Sequence, residues 1–183
     1  MYISEFNIPF YQIKVKNWED KKKKLLNVYS KIENKLITDD PVSFVYSDFR
    51  NQDYYNHYFN EITDILNDEL TEFSIQSNLE EEVNITCWFQ KYTQGCFHAP
   101  HTHGALGYSS VCFIEYDQNE HKPTRFISPI QNPMTGSLMD YSPNNITEGT
   151  IIFFPAFLTH YVLPNDSKKI RIIMSMNIKP LSR

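Results

Sequence analysis

The pattern of apolar and polar positions changes near residue 82, with helical spacing before it and short strand-like runs after it. Residues 8–15 alternate and predict an opening strand. A helix is predicted to begin after Asn17, which is placed as its N-cap. The apolar stripe of this helix consists of Leu25, Tyr29, Ile32 and Leu36.

The helical pattern is broken at Asp40-Pro41 and then resumes. A second helix is predicted over residues 54–73, because its apolar residues are spaced for burial on one side. These residues are Tyr55, Phe59, Ile62, Leu66, Leu70 and Phe73. Both stripes are interpreted as core faces.

From Val83 onward, short runs rich in β-branched and aromatic residues are separated by turn signals such as Gln94-Gly95 and Pro143-Asn144. The predicted strands are 84–92, 108–116, 124–128, 137–141, 150–155, 161–163 and 169–178. Many short strands of this kind are typical of a sandwich or barrel. We therefore predict an α+β chain with the N-terminal helices packed on one outer face of the sheets. A single domain is expected over 1–183, with a helical part at 1–82 and a β core at 83–183.

Composition and charge argue against several classes of protein. The formal net charge is −5, which argues against general nucleic-acid binding. The basic run Lys21–Lys24 is interpreted as the solvated face of a helix. The three cysteines form no disulfide framework, and no apolar run is long enough to span a membrane. Residues 1–6 carry no secretory signal pattern, so a cytoplasmic protein is expected.

Three of the six histidines lie close together in His98-Ala-Pro-His101-Thr-His103-Gly104. On a strand, residues two apart point to the same side, about 6.6 Å apart at Cα, so His101 and His103 can converge on one cation. His160, which follows the apolar run 149–155, is the candidate for a third ligand. Two ligands on one strand plus a remote histidine are typical of non-heme Fe(II) sites, which leave other coordination positions open.

Other interpretations of these histidines stay open. They can lie on a solvated loop, and His160 can be an ordinary core residue. A closed Zn site built from Cys96, His98, His101 and His103 is a further alternative. Pro100 holds Ala99 extended, so His98 is expected to neighbour the site and not to bind the metal.

The last predicted strand has the clearest alternation in the chain. Residues 171, 173, 175 and 177 share one face, and three of them are polar: Arg171, Ser175 and Asn177. If this face is interior, the Arg171 guanidinium needs an anion, which a dicarboxylate supplies through a two-pronged hydrogen bond. If it is a solvated sheet face, these residues carry no such role.

Four segments in order resemble the Fe(II)- and 2-oxoglutarate-dependent oxygenases, in particular a small bacterial and phage-type group. They are Trp88-Phe-Gln-Lys-Tyr92-Thr-Gln-Gly95, His101-Thr-His103, Phe154-Pro155…His160 and Arg171-Ile-Ile-Met-Ser175-Met-Asn177. The resemblance covers about residues 88–178. It implies a double-stranded β-helix (jelly-roll) core and an O₂-dependent hydroxylase with iron and 2-oxoglutarate as cosubstrate. It implies that His101, His103 and His160 bind iron and that Arg171 binds the distal carboxylate, with Ser175, Asn177 and Tyr92 also at the cosubstrate.

Two positions depart from the family pattern. His103 stands where an aspartate is common, and Ile173 replaces a serine that often helps to bind the cosubstrate. Three neutral imidazoles leave an Fe(II) site at +2, and a dianionic cosubstrate would neutralise it. Alternatively, Asp140 or Glu115 is the third ligand and His103 only supports it.

The rival function is a cupin-like module with the same fold that binds a metal or small ligand without turnover. For an enzyme, hydroxylation of an unactivated C–H bond is expected, in an amino acid, a peptidyl residue or another small polar substrate. Aromatic residues near Tyr92, Tyr108 and Tyr116 could line its pocket or belong to the core. The resemblance implies a bacterium or phage-infected cell as the source. The sequence does not fix the oligomeric state, and a homodimer stays open.

Overall fold

The computed structural model of the chain describes residues 8–38, 42–50 and 52–181, and among these the side chains of 52–56 are left undescribed. The helices are α1 (Trp18–Ile32), a short 3₁₀ helix (Glu33–Lys35), α2 (Gln52–Ile65) and α3 (Asn67–Ser77). The strands are β1 (Tyr11–Lys14), β2 (Tyr46–Ser47), β3 (Val83–Tyr92), β4 (His98–His101), β5 (Tyr108–Glu115), β6 (Arg125–Gln131), β7 (Leu138–Tyr141), β8 (Thr150–Pro155), β9 (His160–Val162) and β10 (Arg171–Pro180).

The strands form two antiparallel sheets, as the many short strand-like runs predicted. The larger sheet has the order β1-β8-β5-β10-β3-β2, and the smaller has the order β4-β9-β6-β7. The predicted strand at 150–155 has the bounds of β8, and all six of its residues are buried. An entirely buried strand reads as a continuous apolar run, which explains why the sequence located it so well.

The helices pack on the outer face of the six-stranded sheet, which confirms the predicted layer arrangement. Leu25, Tyr29 and Ile32 of α1 are buried in the same core as Ile62 of α2 and Phe73 of α3. On the sheet side, this core is completed by Ile172, Met174, Met176 and Ile178 of β10. The opposite face of β10 points between the two sheets. Successive side chains of β10 therefore point alternately to the helix core, where they are apolar, and to the space between the sheets, where most are polar.

The predicted helix over 54–73 is two helices. α2 ends at Ile65 and α3 begins at Asn67, because Leu66 adopts a non-helical backbone with φ −103° and ψ 17°. Both helices contribute to one apolar core, so the apolar spacing runs through the break and conceals it. Asn17 precedes α1 as predicted, but its side chain makes no capping bond and its backbone is left-handed. The predicted break at residues 40–41 and the side chain of Tyr55 lie outside the described residues.

The interpretation of Lys21–Lys24 as the solvated face of a helix is wrong for Lys21, which is buried. Its ammonium group lies 2.8 Å from Oε2 of Glu69, a fully buried residue of α3. Lys22 also turns inward to Glu148, at 2.7 Å, while Lys24 stays on the surface with Asp20. A buried carboxylate requires a paired cation. The sequence of four consecutive lysines does not indicate which of them forms this pair.

The N-terminal part also supplies strands to the larger sheet. β1 pairs with β8 over four residues, and β2 pairs with β3. The residues before 83 are therefore joined to the β core by hydrogen bonds as well as by helix packing. The division into one domain with parts at 1–82 and 83–183 stays a prediction.

Candidate metal centre

The three histidines singled out in the sequence come together at one end of the smaller sheet. His101 ends β4 and lies directly opposite His160, which begins β9. Residues paired in this way have Cβ atoms about 4.5–5.5 Å apart. His103 lies two residues beyond the end of β4, so the expected same-strand pairing of His101 and His103 is only partly right.

Main-chain hydrogen bonds hold the His103 segment against the turn that carries His160. The His103 N–H donates to the carbonyl of Ala156 at 2.8 Å, and the Ala156 N–H donates to that of Gly107 at 2.9 Å. Gly107 has φ +85°, and a Cβ there would lie 2.2 Å from the carbonyl oxygen of Ile178. Only glycine fits this close approach, which fixes the return of the chain from His103 into β5.

Two of the imidazoles are oriented by backbone carbonyls. Nδ1 of His101 donates to the Ala99 carbonyl at 2.8 Å, and Nδ1 of His160 donates to the Leu158 carbonyl at 2.9 Å. A carbonyl accepts only, so the proton stays on Nδ1 and the Nε2 lone pair is available to a cation. This is the usual support for a metal-binding histidine.

The spacing of the nitrogens fits a shared ion. Nε2 of His103 lies 3.3 Å from Nε2 of His160, and one ring nitrogen from each of the three histidines lies within 4.8 Å of the others. Two imidazole nitrogens that bind one ion at about 2.0–2.1 Å are themselves roughly 3 Å apart. The donor set therefore fits a transition metal, and imidazole suits iron among others.

Burial keeps the imidazoles of His103 and His160 in the neutral form that binds metals. Burial lowers the pKa of His103 to about 3, with further lowering by the nearby His101 and Lys179. Burial also lowers the pKa of His160 well below its usual value, and the nearby His101 and His103 lower it further. Neither ring competes for a proton near neutral pH, so both lone pairs are ready for a cation.

His98 lies beside this cluster and not in it, as expected. Its ring stacks on His101 with centroids 3.9 Å apart, and its Nδ1 lies 3.2 Å from Nε2 of Gln90. Cys96, needed for the closed Zn site, is buried elsewhere with its sulfur 3.3 Å from the Thr93 hydroxyl. Within the described part of the chain, the metal-binding group consists of His101, His103 and His160 alone.

The two carboxylates considered as alternative ligands have other partners. Asp140 accepts hydrogen bonds from Arg125 and Tyr161 at the exposed edge of the smaller sheet. Glu115 lies on the helix side of the larger sheet, 3.0 Å from Lys22. Neither belongs to the histidine cluster.

Arg171 lies in the interior between the sheets, and the alternative of a solvated face is wrong. It is 2% exposed, with its guanidinium carbon 4.9 Å from the ring centre of Tyr92. It donates from Nη1 to the Lys122 carbonyl at 3.2 Å and from Nη2 to the Thr124 hydroxyl at 3.4 Å. No acidic side chain among the described residues forms an ion pair with it. A buried guanidinium without a carboxylate partner is costly unless an anion binds there.

Three buried polar atoms in this region have no hydrogen-bond partner among the described residues. They are the hydroxyl oxygens of Tyr92 and Ser110 and Nε of Arg171. Tyr92 and Ser110 line the narrow inner cavity that also reaches all three metal-site histidines. Because buried polar atoms are nearly always paired, this group of unpaired atoms offers hydrogen bonds to a polar ligand. Burial raises the pKa of Tyr92, so its hydroxyl stays protonated and can donate.

The other predicted cosubstrate residues face the same interior. Ser175 donates to Oε1 of Gln90 at 3.0 Å, and Asn177 accepts from the Ser109 hydroxyl at 2.8 Å. Ile173, at the departure from the family pattern, lines the inner cavity with an apolar side chain. Of the aromatic residues considered as pocket lining, Tyr92 lies at this cavity. Tyr108 instead belongs to the core, where it packs on Phe73 of α3.

Gln90 and Thr124 were not assigned a role from the sequence. Gln90 links Ser175 to His98. Its amide oxygen accepts a hydrogen bond from the Ser175 hydroxyl, and its amide nitrogen contacts the His98 ring. Thr124 contacts Arg171 through its hydroxyl. Gln90 is on the inward face of β3, two residues before Tyr92, so the alternation of that strand was the available signal. Thr124 offered no such signal.

Comparisons with known proteins agree with this geometry. The sequence model of a family described as 2OG-Fe(II) oxygenase, where 2OG is 2-oxoglutarate, matches residues 86–177, just over half of the chain. No curated protein matches the chain significantly in sequence.

Solved structures share the fold at low sequence identity. A prolyl-4-hydroxylase from Pseudomonas putida is 14% identical, with a TM-score of 0.62 over 96% of this chain and 94% of that one. A viral collagen prolyl hydroxylase from Paramecium Bursaria Chlorella virus-1 is 14% identical, with a TM-score of 0.61 over 94% and 96% of the two chains. A prolyl hydroxylase from Trichoplax adhaerens, in complex with a peptide fragment, is 10% identical, with a TM-score of 0.62 over 93% and 83%.

The fold shared with these structures and the three converging histidines fit the class of non-heme iron proteins. Within that class, the chain belongs to the 2OG-Fe(II) oxygenase family. It is therefore a 2-oxoglutarate-dependent oxygenase that uses Fe(II), 2-oxoglutarate and O₂. The cupin-like alternative has no support in these findings. In the described residues, no helix has both the length and the apolar character needed to cross a membrane.

Proposed function

We propose that this enzyme hydroxylates an unactivated C–H bond, with iron bound by His101, His103 and His160. The observation that carries the proposal is the convergence of three imidazoles, together with a buried arginine that has no acidic partner among the described residues. The inner cavity reaches from His103 to Tyr92, and the ring of Tyr92 lies 4.9 Å from the guanidinium carbon of Arg171. A dicarboxylate that binds the metal at one end and Arg171 at the other satisfies both.

In this proposal, Arg171 pairs with the distal carboxylate of 2-oxoglutarate. Its unpaired Nε and the unpaired Tyr92 hydroxyl supply two donors that no described residue uses. Ser175 and Asn177 belong to the same inward face of β10, where their polar atoms are held by Gln90 and Ser109. The aromatic ring of Tyr92 lies against the guanidinium and excludes water, which strengthens the ion pair.

The bound iron and 2-oxoglutarate supply the oxidising chemistry, and the protein supplies geometry and exclusion of side reactions. The carbonyls of Ala99 and Leu158 hold the His101 and His160 rings in the orientation that presents Nε2. His160 is 4% exposed and packs against Phe154 with ring centroids 4.7 Å apart, which keeps solvent from that side. The open side of the cluster faces Trp88 and is where a substrate can approach.

The substrate is an amino acid, a peptidyl residue or another small polar molecule. Several solved structures with this fold are named as prolyl hydroxylases, one of them in complex with a peptide fragment. That likeness supports hydroxylation of an amino-acid-like group. It does not distinguish a free small molecule from a peptide as the substrate.

Anaerobic addition of 2-oxoglutarate to the Fe(II)-loaded protein is expected to produce the weak visible charge-transfer band of a metal-bound keto acid. Absorbance measured against 2-oxoglutarate concentration checks this. Succinate, which has both carboxylates but no keto group, is the matched control and should give no band. Stoichiometric iron binding without a band on 2-oxoglutarate addition would contradict the proposal.

His103→Asp is expected to retain iron, because it restores the common set of two histidines and one carboxylate. His103→Ala should lower iron content at least tenfold, as one of three donors is lost. Iron stoichiometry and 2-oxoglutarate decarboxylation measured in both variants distinguish a direct ligand from a supporting residue. If His103 only supported another carboxylate ligand, the added aspartate would repel it and iron retention would fall.

A further inference from the structure

A fourth histidine shares the inner cavity with the three histidines of the metal site. His98 lines this cavity together with His101, His103 and His160. Its ring stacks on that of His101, with centroids 3.9 Å apart and an angle of 25° between the ring planes. A fourth imidazole, which is a strong ligand for transition metals, therefore lies beside the metal site without belonging to it.

An irregularity in β4 brings His98 and His101 to the same side of the sheet. His98 pairs with Val162 of β9, and His101 pairs with His160. The step between the two pairs is three residues on β4 but only two on β9, so β4 contains one extra residue. In a regular strand, residues three apart point to opposite faces. The extra residue redirects the side chains, as a β-bulge does, and both imidazoles line the cavity.

Gln90 determines which nitrogen of His98 carries the proton. The Ser175 hydroxyl donates to Oε1 of Gln90 at 3.0 Å, so the amide nitrogen is turned towards His98, where it lies 3.2 Å from Nδ1. An amide nitrogen donates only, so Nδ1 of His98 accepts and the ring proton is on Nε2. His101 has its proton on the other nitrogen, because its Nδ1 donates to the Ala99 carbonyl at 2.8 Å.

The arrangement of Gln90 is fixed by its surroundings. Gln90 and Ser175 are both buried, and they lie on the neighbouring strands β3 and β10 of the larger sheet. An amide that is hydrogen-bonded at its oxygen and at its nitrogen in a buried site has a single orientation. The donor to Nδ1 of His98 is therefore held in place by the sheet that also carries the cosubstrate-binding face.

We infer, on the basis of the function proposed above, that Gln90 is a positioning residue that keeps His98 from binding the metal. An iron site that uses a cosubstrate and O₂ must leave coordination positions open. With Nδ1 of His98 bound to Gln90, the described residues offer three imidazoles to the ion. Without that hydrogen bond, the ring of His98 turns towards the ion and occupies a position that the cosubstrate needs.

The position of the His98 proton is measured by NMR of the metal-free protein labelled at its histidine nitrogens. The signals of His98 are those absent from His98→Ala. The native ring is expected to carry its proton on Nε2. In Gln90→Glu, the carboxylate keeps the acceptor for Ser175 but cannot donate, so Nδ1 is expected to carry a proton. A native ring with its proton on Nδ1, or no proton on Nδ1 in Gln90→Glu, would overturn the inference.

Gln90→Met is expected to weaken 2-oxoglutarate binding by about tenfold or more, the scale of losing a residue that supports a metal site. Methionine has nearly the length of glutamine but donates no hydrogen bond. The affinity is measured by the anaerobic charge-transfer band of the Fe(II)-loaded protein. Gln118→Met, which makes the same change at an exposed position after β5, is the matched control and should keep the native affinity.

The double variant Gln90→Met/His98→Ala distinguishes this role from one in packing. Because it removes the competing imidazole, its affinity for 2-oxoglutarate should return to within about twofold of that of His98→Ala alone. If Gln90 acted only by packing or by holding Ser175, the loss would persist in the double variant. Circular dichroism checks that each variant is folded, and if Gln90→Met is not, the proton position in Gln90→Glu decides.

Unchanged affinity in Gln90→Met, or a loss that persists in the double variant, would each overturn the inference. The charge-transfer band of the native protein separates this inference from the proposed function. A native band without rescue in the double variant overturns only the role of Gln90. Absence of the native band overturns the proposed function and this inference with it.

Discussion

His160→Ala is expected to lower the bound metal at least tenfold while the protein stays folded. The variant removes one of three imidazole nitrogens that converge within 4.8 Å. Even changes to residues that only support a ligand cost about 10–100-fold in metal affinity, so loss of a ligand should cost no less. Metal content after dialysis against Fe(II), measured beside circular dichroism, checks both parts of this prediction.

His98→Ala is the matched control for that experiment. His98 stacks on His101 and lies in the same segment, but it is outside the metal-binding group. Its replacement should leave the metal content near that of the native protein. Full metal content in His160→Ala, with loss in His98→Ala, would instead point to a local site made by the 96–103 segment.

Arg171→Lys is expected to weaken 2-oxoglutarate binding by about 1–3 kcal/mol, or roughly 5- to 150-fold. Lysine keeps the charge but cannot reproduce the planar two-pronged contact with a carboxylate. It also loses the stacking of a planar group on the Tyr92 ring, 4.9 Å away. Iron affinity should change little, because Arg171 is no ligand. The concentration dependence of the charge-transfer band measures the effect.

Arg125→Lys is the control for Arg171→Lys. Arg125 lies on β6 and pairs with Asp140 at the exposed edge of the smaller sheet, away from the inner cavity. The same chemical change there should leave 2-oxoglutarate affinity unaltered. An unchanged affinity in Arg171→Lys would show that the distal carboxylate binds elsewhere.

Local patterns in the sequence located much of the candidate site. The alternation of β10 placed Arg171 and Ser175 on one face, and that face is interior. The continuous apolar run before His160 identified β8, which is buried throughout. In both cases one strand carries the whole signal, because side chains alternate along it with a period of two.

Features that depend on contacts between distant segments were not predictable in the same way. The pairing of Lys21 with the buried Glu69 joins residues 48 positions apart. Asp48 lies in a segment with no regular pattern, and its contacts with Phe89 and Tyr58 reveal its structural role. No periodicity or spacing marks such residues, since their partners lie on other elements of the fold.

The alternation along β10 has a consequence for how this enzyme diverges. Met174 and Met176 face the helices, and Arg171 and Ser175 face the interior between the sheets, although all four lie on one strand. Changes on separated sites without shared partners combine nearly additively. The helix layer is therefore free to accumulate substitutions over evolutionary time while the cosubstrate-binding face stays constant.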